Sequence, residues 1–189
     1  MREALLIIDM QRGFTDPASS LCIKGAAATV PACAAAAEKA RERNVPVFWV
    51  IRSYRADGTD VEKTRAAAWE AGGRPLSPGA PEEISAGFPD GLAPAEEDFI
   101  IVKPRFSAFF ATPLDLYLRR LGVTDVVLAG TTTPNCIRCT CYDALSLDYG
   151  VTVLSDCCSS NTDEIQRANL EDMERIGAGI ITLSAWQPE

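Results

Sequence analysis

Six short runs of apolar, largely β-branched residues recur along the chain, at 4–9, 46–51, 99–103, 125–129, 151–154 and 179–183. A strand with one wet face alternates apolar and polar positions. These runs are apolar at successive positions, as in strands covered on both faces by crossover helices. Helical segments fall between them at about 30–43, 113–121, 136–148 and 163–176. Strand and helix in alternation predict an α/β fold, a three-layer α/β/α sandwich around a six-stranded, mainly parallel sheet.

Local signals place several ends. Asn161-Thr162-Asp163-Glu164 offers an N-cap side chain followed three positions later by a glutamate, so a helix is expected to start there. Thr29 and Thr112, each near a proline, fit the same role at two other starts. The alanine-rich stretch 32–40 favours helix and lets a neighbouring backbone approach. Between the second and third strands, 52–98 is rich in Gly and Pro, with short helices expected only at 62–69 and 81–85. A connection of that length reads as a lid or binding segment, or as a surface excursion or oligomer contact.

The length of 189 residues and an apolar fraction of 47% suffice for one substantial core, so residues 1–189 are read as a single domain. Eighteen basic against twenty-six acidic side chains give a formal charge of −8, with no cluster of Lys and Arg to track phosphates. Nucleic acid is not an expected partner. No apolar run is long enough to cross a bilayer, and the chain enters its first strand at once, leaving no room for a signal peptide. A cytoplasmic location is expected, where the seven cysteines remain thiols. Histidine is absent, so any general base must be a carboxylate, lysine, tyrosine or thiolate.

Three strand ends carry reactive side chains. Asp9 closes the first strand and Lys103 the third, while Cys136 follows the fourth after the turn Gly130-Thr131-Thr132-Thr133-Pro134-Asn135. Ligands bind open parallel sheets beyond the carboxyl ends of the strands, where strand order reverses. With the order 3-2-1-4-5-6, Asp9 lies beside Cys136, and Lys103 has the length to reach both. Taken singly, these are ordinary as a turn aspartate, a core cysteine and a snorkelling lysine. Together they form a nucleophile, a proton acceptor and a cation. A helix start and an ammonium group are expected to lower the thiol pKa from about 8.5. Backbone N–H groups of the turn 131–136 point to where an oxyanion would form.

The stretches Ala4-Leu5-Leu6-Ile7-Ile8-Asp9-Met10-Gln11 with Phe14, Lys103-Pro104-Arg105-Phe106-Ser107-Ala108-Phe109, and Ala129-Gly130-Thr131-Thr132-Thr133-Pro134-Asn135-Cys136-Ile137 continue through Thr140, Asp143-Ala144 and Asp156. In these the sequence resembles the isochorismatase-like cysteine hydrolases, a superfamily that includes nicotinamidases and amidohydrolases of carbamoyl and ureido compounds. The resemblance implies a catalytic triad of Asp9, Lys103 and Cys136, and the strand order 3-2-1-4-5-6. It also implies a cis peptide before Thr132, whose N–H joins that of Cys136 in an oxyanion hole. The nicotinamidases bind a metal through an aspartate and histidines after the second strand. The corresponding residues here are Ile51-Arg52-Ser53-Tyr54-Arg55, so no metal or other cofactor is expected. Relatives that cleave isochorismate generally lack the cysteine, which directs the resemblance to the amide-cleaving branch. Pro134 departs from the acidic or amide residue often found at its position. Superfamily members are commonly dimers or tetramers, which implies a homo-oligomer.

For substrate binding, Arg52, Arg55 and Arg105 flank the strand ends and suit a carboxylate or ureido oxygen, or else are solvated surface charges. Phe14, Tyr54, Trp69, Phe106 and Phe109 suit the wall of a pocket for a small planar ligand, or core packing. Cys136, Cys139, Cys141, Cys157 and Cys158 raise a rival reading as a metal or thiol redox centre. Helical spacing points Cys141 away from the other two, and Cys136 with Cys139 retains the C-x-x-C redox arrangement. The expected function is therefore cysteine-dependent hydrolysis of a C–N bond in a small amide, carbamoyl or ureido compound through a thioester. The alternatives are an isochorismatase-type hydrolase of another small substrate, a thiol redox protein, or a silent binding module.

Overall fold

A computed structural model describes residues 2–188. Six strands, β1 (Glu3–Ile8), β2 (Val47–Ile51), β3 (Phe99–Val102), β4 (Asp125–Thr131), β5 (Gly150–Ser159) and β6 (Gly179–Ile181), form one sheet of order β3-β2-β1-β4-β5-β6. Every pairing is parallel. The expected order is the one found. The unbroken apolar runs have their cause in the two cores: Ala4, Leu6 and Ile8 face one, and Leu5 and Ile7 face the other.

The helices are α1 (Arg12–Thr15), α2 (Ala26–Glu42), α3 (Ala66–Ala71), α4 (Leu114–Arg120), α5 (Arg138–Ser146) and α6 (Asp163–Arg175). Leu114 and Leu118 of α4, Cys141 and Ala144 of α5 and Met173 of α6 fill the first core. Cys33, Ala36, Ala37 and Ala40 of α2 fill the second together with Trp186. Small side chains on α2 let it lie close over the sheet. Among the described residues no helix is long and apolar enough to cross a membrane.

Several boundaries differ from expectation. Helix α2 starts at Ala26, placing Thr29 inside it, where the hydroxyl donates to the Ala26 carbonyl at 2.9 Å. At α6 the cap is Thr162, one residue later than Asn161, and its hydroxyl accepts the Ile165 N–H. Thr112 does serve the start of α4, accepting the Leu114 N–H at 3.3 Å from one position outside the cap. Strand β5 runs on to Ser159 past an irregularity in its pairing with β4, where Cys158 pairs with Gly130 and Ser159 with Thr131. The segment expected as one helix from 136 is a π-helical turn, Thr133–Ile137, leading into α5.

The long excursion after β2 is ordered around its own apolar cluster, Phe14, Tyr54, Val61, Trp69 and Leu76. It holds α3 and one 3₁₀ turn, Glu82–Ile84. Gln11, fully buried, fastens it to the sheet. Its amide donates to the carbonyls of Arg52 and Ala86, both at 2.8 Å, and its oxygen accepts the Arg52 N–H at 2.7 Å.

Candidate active site

The carboxyl ends of β1, β3 and β4 bring three side chains together. Asp9 follows the last residue of β1 with a φ of +54°, a left-handed conformation that aspartate tolerates better than most residues, and its N–H donates to Val50 in β2 at 2.8 Å. Lys103 follows β3 and is fully buried. Its ammonium donates to Asp9 Oδ2 at 2.7 Å and to the Arg105 carbonyl at 3.1 Å, and lies 3.5 Å from Cys136 Sγ. The other carboxylate oxygen, Asp9 Oδ1, is buried without a hydrogen-bond partner.

Strand β4 must come close to β1 for this meeting. At Gly130, with φ of +113°, an added Cβ would lie 2.1 Å from the Ile8 carbonyl oxygen, so only glycine fits. Beyond it the Thr131–Thr132 peptide is cis, and the hydroxyls of Thr132 and Thr133 donate to the Ser159 carbonyl at 3.2 and 3.0 Å. The turn that carries Cys136 is thus held to β5.

The thiol behaves differently from the sequence expectation. Burial, and then the negative charge of Asp9, push Cys136 up to about 11, against the downward pull of Lys103 and Arg52. The expected lowering by a helix start and an ammonium group is outweighed, because the sulfur is enclosed and shares its surroundings with a carboxylate. With its pKa raised to about 11, the sulfur is mainly a neutral thiol at pH 7.

A cavity of about 280 Å³ opens onto this centre, lined by Asp9, Thr132, Asn135 and Cys136 at its floor, with Phe14, Leu21, Ile23, Arg65 and Ala68 among its walls. Of the aromatic residues read as a pocket wall, Phe14 alone lines it. Tyr54 and Trp69 are buried in the cluster of the excursion, where the Tyr54 hydroxyl donates to Glu62 at 2.7 Å and the Trp69 indole to the Pro75 carbonyl at 2.9 Å. Phe109 stacks on Tyr149 with ring centroids 5.8 Å apart. Phe106 lies under two guanidinium groups, Arg52 at 5.6 Å and Arg65 at 4.8 Å.

The three arginines expected at the substrate are otherwise engaged. Arg52 is buried in an ion pair with Glu62, and also donates to Tyr54 at 3.0 Å and to the Arg105 carbonyl at 2.8 Å. Burial disfavours its charge, but Asp9, Tyr54, Cys136 and Glu62 together hold its pKa above the ordinary value. Arg55 is exposed and pairs with Asp57 on the surface. Arg105 reaches the site through its carbonyl, while its side chain donates to the carbonyls of Asp60 and Pro104 at 2.8 and 2.6 Å. Sequence reading missed Arg65, Asn135 and the residues 20–23. Arg65 carries no motif, and its place depends on how the excursion folds.

The residues after β2 do not fit a metal. Histidine is absent from the chain, and the carboxylate in that place, Glu62, is taken up by Arg52 and Tyr54. Cys139 lines a different cavity from Cys136, and Cys141 is packed in the first core.

The class is that of an α/β protein with an open parallel sheet, and the thiol, carboxylate and ammonium meet where its strand order reverses. Residues 3–185 match the family model of the isochorismatase domain, and the chain belongs to that family of hydrolases, which has amidohydrolase members. A protein of Arabidopsis thaliana described as a probable inactive nicotinamidase is 43% identical over 98% of this chain and 95% of its own. The maleamate amidohydrolase of Pseudomonas putida is 31% identical, over 96% of this chain and 83% of its own. The crystal structure of an isochorismatase family protein from Desulfovibrio vulgaris superposes with a TM-score of 0.91 at 43% identity, over 97% of this chain and 95% of its own.

Proposed function

We propose that this protein is an amidohydrolase that cleaves the C–N bond of a small amide, carbamoyl or ureido compound, with Cys136 as nucleophile. The observation that carries the reading is the position of Lys103, whose ammonium is 2.7 Å from Asp9 and 3.5 Å from the Cys136 sulfur. With its thiol pushed up to about 11, Cys136 needs a base at the moment of attack. Asp9 has one carboxylate oxygen held by Lys103 and the other unpartnered.

In the first half-reaction the sulfur bonds to the carbonyl carbon while its proton passes to Asp9. The C–N bond then breaks, and Asp9 returns that proton to the departing nitrogen, leaving a thioester. Water, deprotonated by Asp9, hydrolyses the thioester and restores the thiol. Lys103 holds the carboxylate aligned between these transfers. The N–H groups of Thr132 and Cys136 are assigned to the oxyanion, since the first turn of a helix leaves donors without internal partners. The maleamate amidohydrolase among the relatives supports amide cleavage, whereas the relative described as probably inactive favours a silent binding protein.

Ammonia release from a panel of small amides, ureas and carbamoyl amino acids separates the two, with Cys136→Ala as the blank. Turnover that vanishes in the variant, with an acyl adduct on Cys136 by mass spectrometry, is the expected result. A panel without turnover overturns the reading. Turnover that survives in Cys136→Ala assigns the chemistry to another group.

A further inference from the structure

Arg65 is a cation without an ion pair among the described residues, and it lines the same cavity as Cys136. The only other charged side chain lining that cavity is Asp9, whose charge is met by Lys103 at 2.7 Å. Behind the wall, Arg52 is matched by Glu62. The carboxylate of Asp16, near Cys22 at the rim, is turned to the Ala18 N–H at 2.8 Å. Asp9 with Lys103 and Arg52 with Glu62 are matched pairs, which leaves the Arg65 guanidinium as the one lining cation, among the described residues, that no carboxylate meets.

Its orientation is built in. Arg65 stands directly before α3, and its N–H donates to the Glu62 carbonyl at 2.7 Å, so the residue that anchors Arg52 also anchors the backbone of Arg65. The guanidinium lies 4.8 Å from the centroid of Phe106, a position that holds the planar fork by cation–π attraction without using its N–H donors. The rest of the lining is mixed, with Phe14, Leu21, Ile23 and Ala68 apolar and Ser20, Thr132, Asn135 and Asn161 polar. The volume, about 280 Å³, lies below the usual range for drug-sized ligands.

We infer that Arg65 binds a carboxylate carried by the substrate, so that the protein acts on small amides or ureides with an acid group at the end remote from the scissile bond. This rests on the amidohydrolase reading and names its substrate class. The protein as a whole carries a charge of −8, which repels anions at long range. A local unpaired guanidinium is what lets an anion settle here, and a planar fork matches a carboxylate with two parallel hydrogen bonds.

Calorimetric binding to the Cys136→Ala protein tests this without turnover. The probes are succinamate and N-carbamoylglycine, each against its neutral amide, succinamide and N-carbamoylglycinamide. The anionic member of each pair is expected to bind roughly 10- to 100-fold more tightly, the span of a hydrogen bond to a charged partner. Adding Arg65→Met should abolish the difference, and Arg65→Lys should restore part of it. Equal affinities, no binding of either anion, or a preference that survives Arg65→Met overturns the assignment. Ammonia release by the Cys136 protein separates this from the catalytic reading. Arg65-dependent binding without any turnover leaves the anchor standing and removes the hydrolase. Turnover indifferent to charge and to Arg65 does the reverse.

Discussion

Gly130 lies so close to Ile8 that a methyl group on its α-carbon would sit 2.1 Å from the Ile8 carbonyl oxygen. That contact joins the two strands whose ends carry Asp9 and Cys136. Gly130→Ala combines backbone strain at φ +113° with a clash against main chain, which cannot rotate away as a side chain would. A loss of about 3 kcal/mol or more is expected. Urea denaturation measures it, and an unchanged midpoint contradicts the packing described.

The ion pair of Arg52 with Glu62 joins the residue directly after β2 to the middle of the excursion, with side-chain exposures of only 1% and 8%. Glu62→Gln leaves a buried guanidinium without its counter-charge, at an expected cost of about 3–5 kcal/mol. Burial raises the Glu62 pKa, but Arg52 and the Tyr54 hydroxyl outweigh it and the net shift is downward. A depressed carboxyl stabilises the fold above its unfolded pKa of about 4.3, and that contribution fades as pH falls through the folded value. Thermal unfolding between pH 7 and pH 3 should show a smaller acid-induced loss in Glu62→Gln than in the parent.

Alkylation by iodoacetamide, followed at the peptide bearing Cys136, reports the thiol directly. A pKa near 11 predicts slow reaction at pH 7 that accelerates continuously into alkaline solution. Asp9→Asn removes a negative charge and leaves the Lys103 ammonium beside the sulfur, so the rate profile should move to lower pH. Lys103→Met should move it higher. A profile unaffected by either substitution is incompatible with the three groups being in contact.

Arg55 and Arg65 lie in one excursion and differ in surroundings. Arg55 is exposed and paired with Asp57, so Arg55→Ala should leave both melting temperature and turnover at the parent values. Loss of turnover in that variant would place Arg55 nearer the substrate than its exposed position allows.

The strands and the polar residues at their ends were legible in the sequence because each rests on short-range patterning, apolar runs of strand length with a polar residue where the run stops, whereas the strand order came from the family resemblance. The end of β5 was not. Ser155 and Asp156 interrupt the apolar run, and pairing resumes beyond them after a shift in register. The π-helical turn at Cys136 follows Thr132 and Thr133, whose hydroxyls reach the distant Ser159 carbonyl, and the Asn161 side chain accepts the distant Lys24 N–H while Thr162 caps α6, contacts that spacing does not encode. The reversed pKa expectation has the same origin. A cation beside the thiol was foreseeable, but the burial of the sulfur and the adjoining carboxylate are properties of the folded surroundings. For the arginines, sequence proximity to strand ends selected Arg52, Arg55 and Arg105, while the cavity is faced by Arg65 from a helix start fourteen residues beyond β2.

The excursion 52–98 is packed on a cluster of its own and joined to the rest of the fold by Gln11, by Phe88 and Leu92 in the second core, and by Asp98, which pairs with Arg41. Of the cavity lining, Arg65 and Ala68 come from this excursion, whereas Asp9 and Cys136 stand at strand ends. Substitutions within the excursion thus remodel one side of the cavity and leave the strand-end trio in place.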